Sequence, residues 1–255
     1  MRRLPPLPLH RADGLTAMDA PARGVAERLA AIEARVAAAC RRAGRARDGV
    51  RLVGASKLQP VAALAEAYAA GLRRFGENRV QEGQAKAPAL PADAEWHLLG
   101  PLQSNKVRPA LQIFSCFHAV DRDKIARALD AEARAQGRVV AGLLEVNLGG
   151  ETSKHGFPPA DLARAAAPLA TLAGLRVVGL MTVPPPADDP ELSRPWFRAL
   201  AGLAATLNAR PEWCGRLVEL SMGMSDDFEV AIEEGATFVR IGTALFGARP
   251  ARPAE

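Results

Sequence analysis

The chain has 255 residues, 49% of them hydrophobic, enough for one large domain or two small ones with a substantial core. Its formal charge of +5 comes with only 5% aromatic residues, and the cations are scattered along helical stretches apart from a small cluster at Arg41, Arg42, Arg45 and Arg47. No aromatic platform interleaves them and no apolar run is long enough to span a bilayer, so neither nucleic acid nor a membrane is an expected partner.

Residues 1 to about 20 are rich in proline and arginine and lack the continuous apolar stretch of a secretory signal. Residues 1–21 are expected to be a disordered extension, or a mis-annotated one if Met18 is the initiator; 22–250 form the domain and 251–255 a tail. Residues 22–42 carry Val25, Leu29, Ile32, Val36 and Cys40 at a helical period. A regular alternation follows. Strand 50–55 leads to helix 60–71, strand 73–77 to helix 80–86, strand 96–100 to a short helix at 104–110, and strand 113–120 to helix 122–136 with Asp121 as its N-cap. Strand 139–147, a Gly-rich loop and helix 159–173 come next, then strand 176–183, a stiff Pro184-Pro185-Pro186 segment and helix 191–208. Strand 217–221, helix 226–234 and strand 238–242 close the series.

Eight alternations with right-handed crossovers imply a single closed (β/α)8 TIM barrel of the α/β class, with an open doubly wound sheet as the alternative. The N-terminal helix would cover the barrel wall left bare after the last strand. No G-x-G-x-x-G follows the first strand, which speaks against a dinucleotide fold. Cys40, Cys116 and Cys214 are odd in number and without metal-ligand spacing. They read as free thiols of a reducing, cytoplasmic compartment, and no metal site is expected.

Barrel sites lie at the C-terminal strand ends, and the first strand ends on Ser56-Lys57. Of 33 basic residues only five are lysines: Lys57, Lys86, Lys106, Lys124 and Lys154. Where charge alone matters this chain uses arginine, so a lysine kept in a loop points to amine chemistry. Lys86 and Lys124 read as ordinary helix-face residues. A desolvated Lys57 would be a nucleophile towards carbonyls. Across the barrel, Ser221-Met222-Gly223-Met224-Ser225 and Gly242-Thr243 end the last two long strands, where barrels commonly hold phosphate. A phosphorylated aldehyde held as a Schiff base fits lysine on one side and a phosphate cup on the other, and pyridoxal 5'-phosphate is the common example.

Gly54-Ala55-Ser56-Lys57, Phe75-Gly76-Glu77-Asn78 and the stretch from Trp96 to Lys106 resemble the pyridoxal phosphate homeostasis protein family. Ser153-Lys154-His155-Gly156, the run from Leu220 to Phe228 and Arg240-Ile241-Gly242-Thr243 continue the resemblance in order. It implies the alanine racemase N-terminal domain type of barrel and pyridoxal phosphate as a covalent aldimine at Lys57. Ser221, Gly242 and Thr243 would bind phosphate with backbone help from Met222 and Gly223, Asn78 would join the site, and Arg240 would face the pyridine nitrogen. Arg79 and Leu58 depart from the pattern, standing where an aromatic and a polar residue are usual.

A cationic Arg240 disfavours protonation of that nitrogen and weakens the ring as an electron sink. Racemisation would also need a second acid/base, and the lone tyrosine, Tyr68, lies within the first barrel helix. A binding protein of vitamin B6 homeostasis, monomeric and handing the cofactor to apo-enzymes, is therefore expected, with no catalytic residue of its own. The alternative is a racemase or amino-acid lyase using Lys154, His155 or Cys116. A cofactor-free aldolase would need Glu77 beside Lys57.

Overall fold

The computed structural model describes residues 24–151, 155–213 and 216–248. The expectations for the extension at 1–21, the tail, Ser153, Lys154 and Cys214 fall outside the described residues.

Eight parallel strands close into a barrel in chain order: β1 Arg51–Ala55, β2 Arg74–Glu77, β3 Glu95–Leu98, β4 Cys116–Val120, β5 Val140–Glu145, β6 Leu175–Met181, β7 Glu219–Ser221 and β8 Phe238–Ile241. Because β1 pairs with both β2 and β8, the sheet has no edge and the doubly wound alternative is ruled out. The helices are α1 Val25–Arg42, α2 Val61–Ala69, α3 Val80–Lys86, α4 Val107–Leu111, α5 Asp123–Ala135, α6 Pro159–Ala170, α7 Arg194–Asn208, α8 Phe228–Glu233 and α9 Thr243–Phe246. None among the described residues is long and apolar enough to cross a membrane.

The α1 stripe read from the sequence is buried in full: Val25, Leu29, Ile32, Val36 and Cys40, with Ala39. Each large side chain withdrawn from water contributes on the order of 1.5–3 kcal/mol. The helix covers the wall beside β8, as expected, because α9 is a single turn and leaves apolar surface there. Polar ties fix its orientation: Arg28 Nε donates to the Leu245 carbonyl at 2.7 Å, Arg42 Nε to Glu233 at 2.7 Å, and Glu66 accepts from the Ala26 amide at 3.1 Å.

Strand boundaries are tighter than the sequence pattern suggests. The fourth strand starts at Cys116, not 113, because the Ile113 and Phe114 amides still bond back to Ala110 in the turn after α4. Asp121 does not cap α5. Arg122 occupies that position without a side-chain cap, and the Asp121 carboxylate instead meets Arg122 at 2.5 Å and His155 at 3.4 Å.

Between β5 and β6 the register slips, pairing Gly142 with Val177 but Leu143 with Gly179, so β6 carries one extra residue, a bulge. Gly179 follows it and lies against β7 so closely that a Cβ would meet the Glu219 carbonyl oxygen at 1.8 Å. Backbone cannot step aside as a flexible side chain can. Gly179→Ala is expected to lose about 3 kcal/mol of stability, the upper end of overpacking costs, read as a lowered urea midpoint at unchanged m-value.

Candidate functional site

The pleat of each strand sends alternate side chains into the barrel. A small apolar layer lies there, comprising Val53, Cys116, Ala119, Leu143, Met181 and Phe238. Arg51 packs over the Phe238 ring at 4.0 Å and is ion-paired with Glu219. Above this layer the interior is polar.

Arg240 of β8 is 5% exposed. Its Nη1 donates to Ser221 Oγ at 2.6 Å and its Nη2 to the Thr182 carbonyl at 3.0 Å. Burial pulls its pKa down to about 10, with Asp227 and Glu145 opposing, so it remains a cation at neutral pH. Ser221 Oγ lies 2.7 Å from His118 Nδ1, and His118 Nε2 lies 2.8 Å from His97 Nδ1. A guanidinium only donates. Among the described residues the Ser221 hydroxyl has these two partners, so its proton goes to His118 Nδ1. His118 then carries its own proton on Nε2 and gives it to His97, whose Nε2 faces Glu95 at 3.8 Å. The string runs one way from Arg240 to the barrel floor, with both imidazoles neutral. Desolvation lowers the pKa of each, that of His118 furthest.

Cys116 joins His97 and His118 in a group whose potential metal-ligand atoms all lie within 4.8 Å. The sequence spacing gave no sign of it, because β3 and β4 must pair to create it. Burial pushes the Cys116 thiol up to about 12, and the two imidazoles bond each other, so this donor set suits a packed interior better than a metal ion.

At the C-terminal mouth a cavity of about 370 Å³ is lined by Lys57, Asn78, Gln59, Ser225, Gly242 and Thr243, with Arg240 also lining it. Strand closure brings these residues together, pairing Val53 with Arg240 and Gly54 with Ile241. Lys57, Asn78, Arg240, Gly242 and Thr243 thus come together as the sequence suggested. Lys57 is half-buried rather than sealed in apolar surroundings.

Three of the expected phosphate-cup residues do not reach the cavity. Ser221 belongs to β7 and shares its inward parity with Glu219, so its hydroxyl is spent on Arg240 and His118. The Met222 amide donates to the Phe238 carbonyl at 3.2 Å, and its side chain is buried. Gly223 has a φ of 88° and accepts the Arg240 amide at 3.0 Å. A Cβ there would meet the Ala231 side chain at 2.5 Å, so this glycine serves a tight turn. The hydroxyl at the cavity is that of Ser225, four residues beyond Ser221, which accepts from the Ala244 amide at 3.2 Å. Two serines in one motif were the available signal, and the end of β7 tells them apart: Ser221 is its last residue, and Ser225 lies beyond the turn at Gly223.

Glu77 is fully buried, bonded to Ser56 Oγ and Lys86 Nζ at 2.7 Å each, and does not face the cavity. Lys86 is correspondingly no ordinary helix-face residue. The Tyr68 hydroxyl bonds Asp93 away from the site.

The chain matches the alanine racemase N-terminal domain over residues 28–250, which defines the class of barrel. It is 46% identical over 224 residues to the pyridoxal phosphate homeostasis protein of Aquifex aeolicus, covering 88% of this chain and 97% of that one. Among solved structures, PipY of Synechococcus elongatus with PLP bound superposes at a TM-score of 0.77 and 41% identity, covering 88% of this chain and all of that one. An uncharacterised Bifidobacterium adolescentis protein superposes at 0.82 and 37%, covering 90% and 97%. The chain belongs to the pyridoxal phosphate homeostasis protein family.

The neutral histidines give a pH signature. The unfolded chain takes up protons as pH falls below 6.5, whereas the buried rings resist, so stability present above that pH is lost below it. The loss is at most about 1.4 kcal/mol per histidine per pH unit. Glu77 and Glu145, raised by burial, act with opposite sign. The difference between wild type and His118→Asn isolates the histidine contribution. That difference is expected to shrink between pH 7.5 and 5.5 in urea titrations, and a constant difference would contradict it.

Proposed function

We propose that this protein holds pyridoxal 5'-phosphate as a Schiff base on Lys57 and makes it available to PLP-dependent apo-enzymes in vitamin B6 homeostasis, without robust turnover of its own. The observation that carries the reading is one cavity lined together by the Lys57 amine, the Ser225 and Thr243 residues and the Arg240 cation. Its volume lies in the usual range for small-molecule sites. The donor set suits a phosphate monoester at one end and an aldehyde at the other. PLP bound to PipY, and the name shared by the curated relatives, support the same ligand.

Each side chain has a stated task. Lys57 supplies the amine that captures the aldehyde and releases it to another amine. Thr243 and Ser225 donate to the phosphate, Gly242 lets backbone approach it, and Asn78 borders the ring. Arg240, pinned by Ser221 and Thr182, presents a fixed cation to the pyridine nitrogen and disfavours its protonation. A weak electron sink suits a holder of the cofactor rather than a racemase or lyase. His155, the acid/base candidate of those alternatives, is instead turned towards Asp121. A cytoplasmic location is proposed on the free thiols noted above, and the protein is proposed to act as a monomer.

Borohydride reduction followed by peptide mapping is expected to place the cofactor on Lys57, and Lys57→Ala to abolish the Schiff-base absorption; retention of the band would overturn the assignment. Ser225→Ala and Thr243→Ala are each expected to weaken PLP binding about tenfold, the size of one hydrogen bond to a charged group, in a fluorescence titration. Ser221→Ala should act differently, changing the spectrum through Arg240 more than the phosphate affinity. Incubation of the loaded protein with L-amino acids and chiral analysis separates holder from racemase, and sustained turnover would reverse the choice.

A further inference from the structure

The chain turns directly at Lys57. The Gln59 amide donates to the Ser56 carbonyl at 2.9 Å, closing a β-turn with Lys57 and Leu58 at its centre. Leu58 has a φ of 61°, and among the described residues it alone combines a positive φ with a side chain. A turn with positive φ at this position normally carries glycine or asparagine. Leu58 is 38% exposed, so packing of its side chain does not hold it there.

What does hold it comes from α3. The Leu58 amide donates to Glu82 Oε2 at 2.9 Å, and Lys86 Nζ donates to the Ser56 carbonyl at 2.8 Å. The peptide groups on both sides of Lys57 are therefore tied to one helix. Glu82 and Lys86, four residues apart, approach to 3.4 Å, and Lys86 also bonds the buried Glu77. The remaining direction is fixed by Ser56, whose amide donates to the Gly76 carbonyl at 2.9 Å and whose hydroxyl donates to Glu77. Glu82 and Lys57 also line one cleft of about 940 Å³ beside the cofactor cavity.

We infer that Glu82 and Lys86 are positioning residues for Lys57: they hold a strained turn, anchored on buried Glu77, that aims the amine into the cavity. The strain concentrates at Leu58, and the two side-chain bonds over-determine it. The inference rests on Lys57 as the capturing amine, but the clamp itself is a property of the free protein.

The test pairs Glu82→Ala and Lys86→Met with Leu58→Gly in each background. In the ligand-free protein, hydrogen exchange at the Leu58 amide is expected to quicken at least tenfold in Glu82→Ala while β1 amides stay protected. The rate of Schiff-base formation with pyridoxal 5'-phosphate, followed by absorbance, is expected to fall at least tenfold in both single variants. Adding Leu58→Gly should restore most of that rate, because glycine adopts the positive φ unaided. A loss of negative charge near the amine, or a general loosening, would not be rescued in this way. An unchanged rate in folded Glu82→Ala, or failure of glycine to restore it, overturns the inference. If Lys86→Met does not fold, the Glu82 pair decides alone. If wild type forms no Schiff base, the functional reading fails, and the Leu58 exchange measurement still decides the clamp.

Discussion

The pairing of β1 with β8 is the constraint on which the site depends. It closes the barrel and brings residues nearly two hundred positions apart into register, Val53 beside Arg240 and Gly54 beside Ile241. Just beyond those pairs the two strands end, β1 on Ala55 with Lys57 in the turn that follows and β8 on Ile241 with Gly242 and Thr243 next. The amine and the Gly242–Thr243 backbone thus line one cavity without any long loop having to reach for the other. Closure also removes the sheet edges, so every strand end opens into the same space.

The buried cation is the costly part of this arrangement. Withdrawing a guanidinium from water costs several kcal/mol unless its donors are satisfied. Arg240 meets this with the Ser221 hydroxyl and the Thr182 carbonyl; Ser221 in turn donates to His118 Nδ1, and His118 donates from Nε2 to His97. The string carries no charge beyond Arg240, which keeps the lower barrel compatible with its apolar neighbours. Under the proposed function, this fixed cation would set the site apart electrostatically from one with a carboxylate at the ring nitrogen, and Arg240 is held by Ser221 and Thr182, which do not line that cavity.

The two walls of the cavity are built differently. The Gly242–Thr243 wall follows directly from a strand end and the single turn of α9. The Lys57 wall needs outside help, because Leu58 sits in a conformation its side chain disfavours. Helix α3 provides that help through Glu82 and Lys86, the latter bonded to the Glu77 carboxylate, so the peptide groups on both sides of Lys57 are tied to one helix.

Much of this was legible in the sequence. Alternating periodicities define eight strand–helix units, and the count alone implies closure. The α1 stripe marks its buried face, and a lysine just past a strand end in an arginine-rich chain marks a residue that lines the cavity. Local pattern carries such features because each depends on near neighbours. Other features required the closed barrel. Ser221 and Ser225 read alike in one motif, and only the end of β7 separates them, leaving the first hydroxyl inside the barrel on Arg240 and the second past the Gly223 turn at the cavity. Lys86 looks like any helix-face lysine until α3 packs over the end of β1. His97 and His118 are unremarkable until adjacent strands put His97 Nδ1 2.8 Å from His118 Nε2. The sequence by itself determined which polar and glycine residues stand at the strand ends; the tertiary structure decided which of them line the cavity and which face each other, because that depends on side-chain direction across strands distant in the chain.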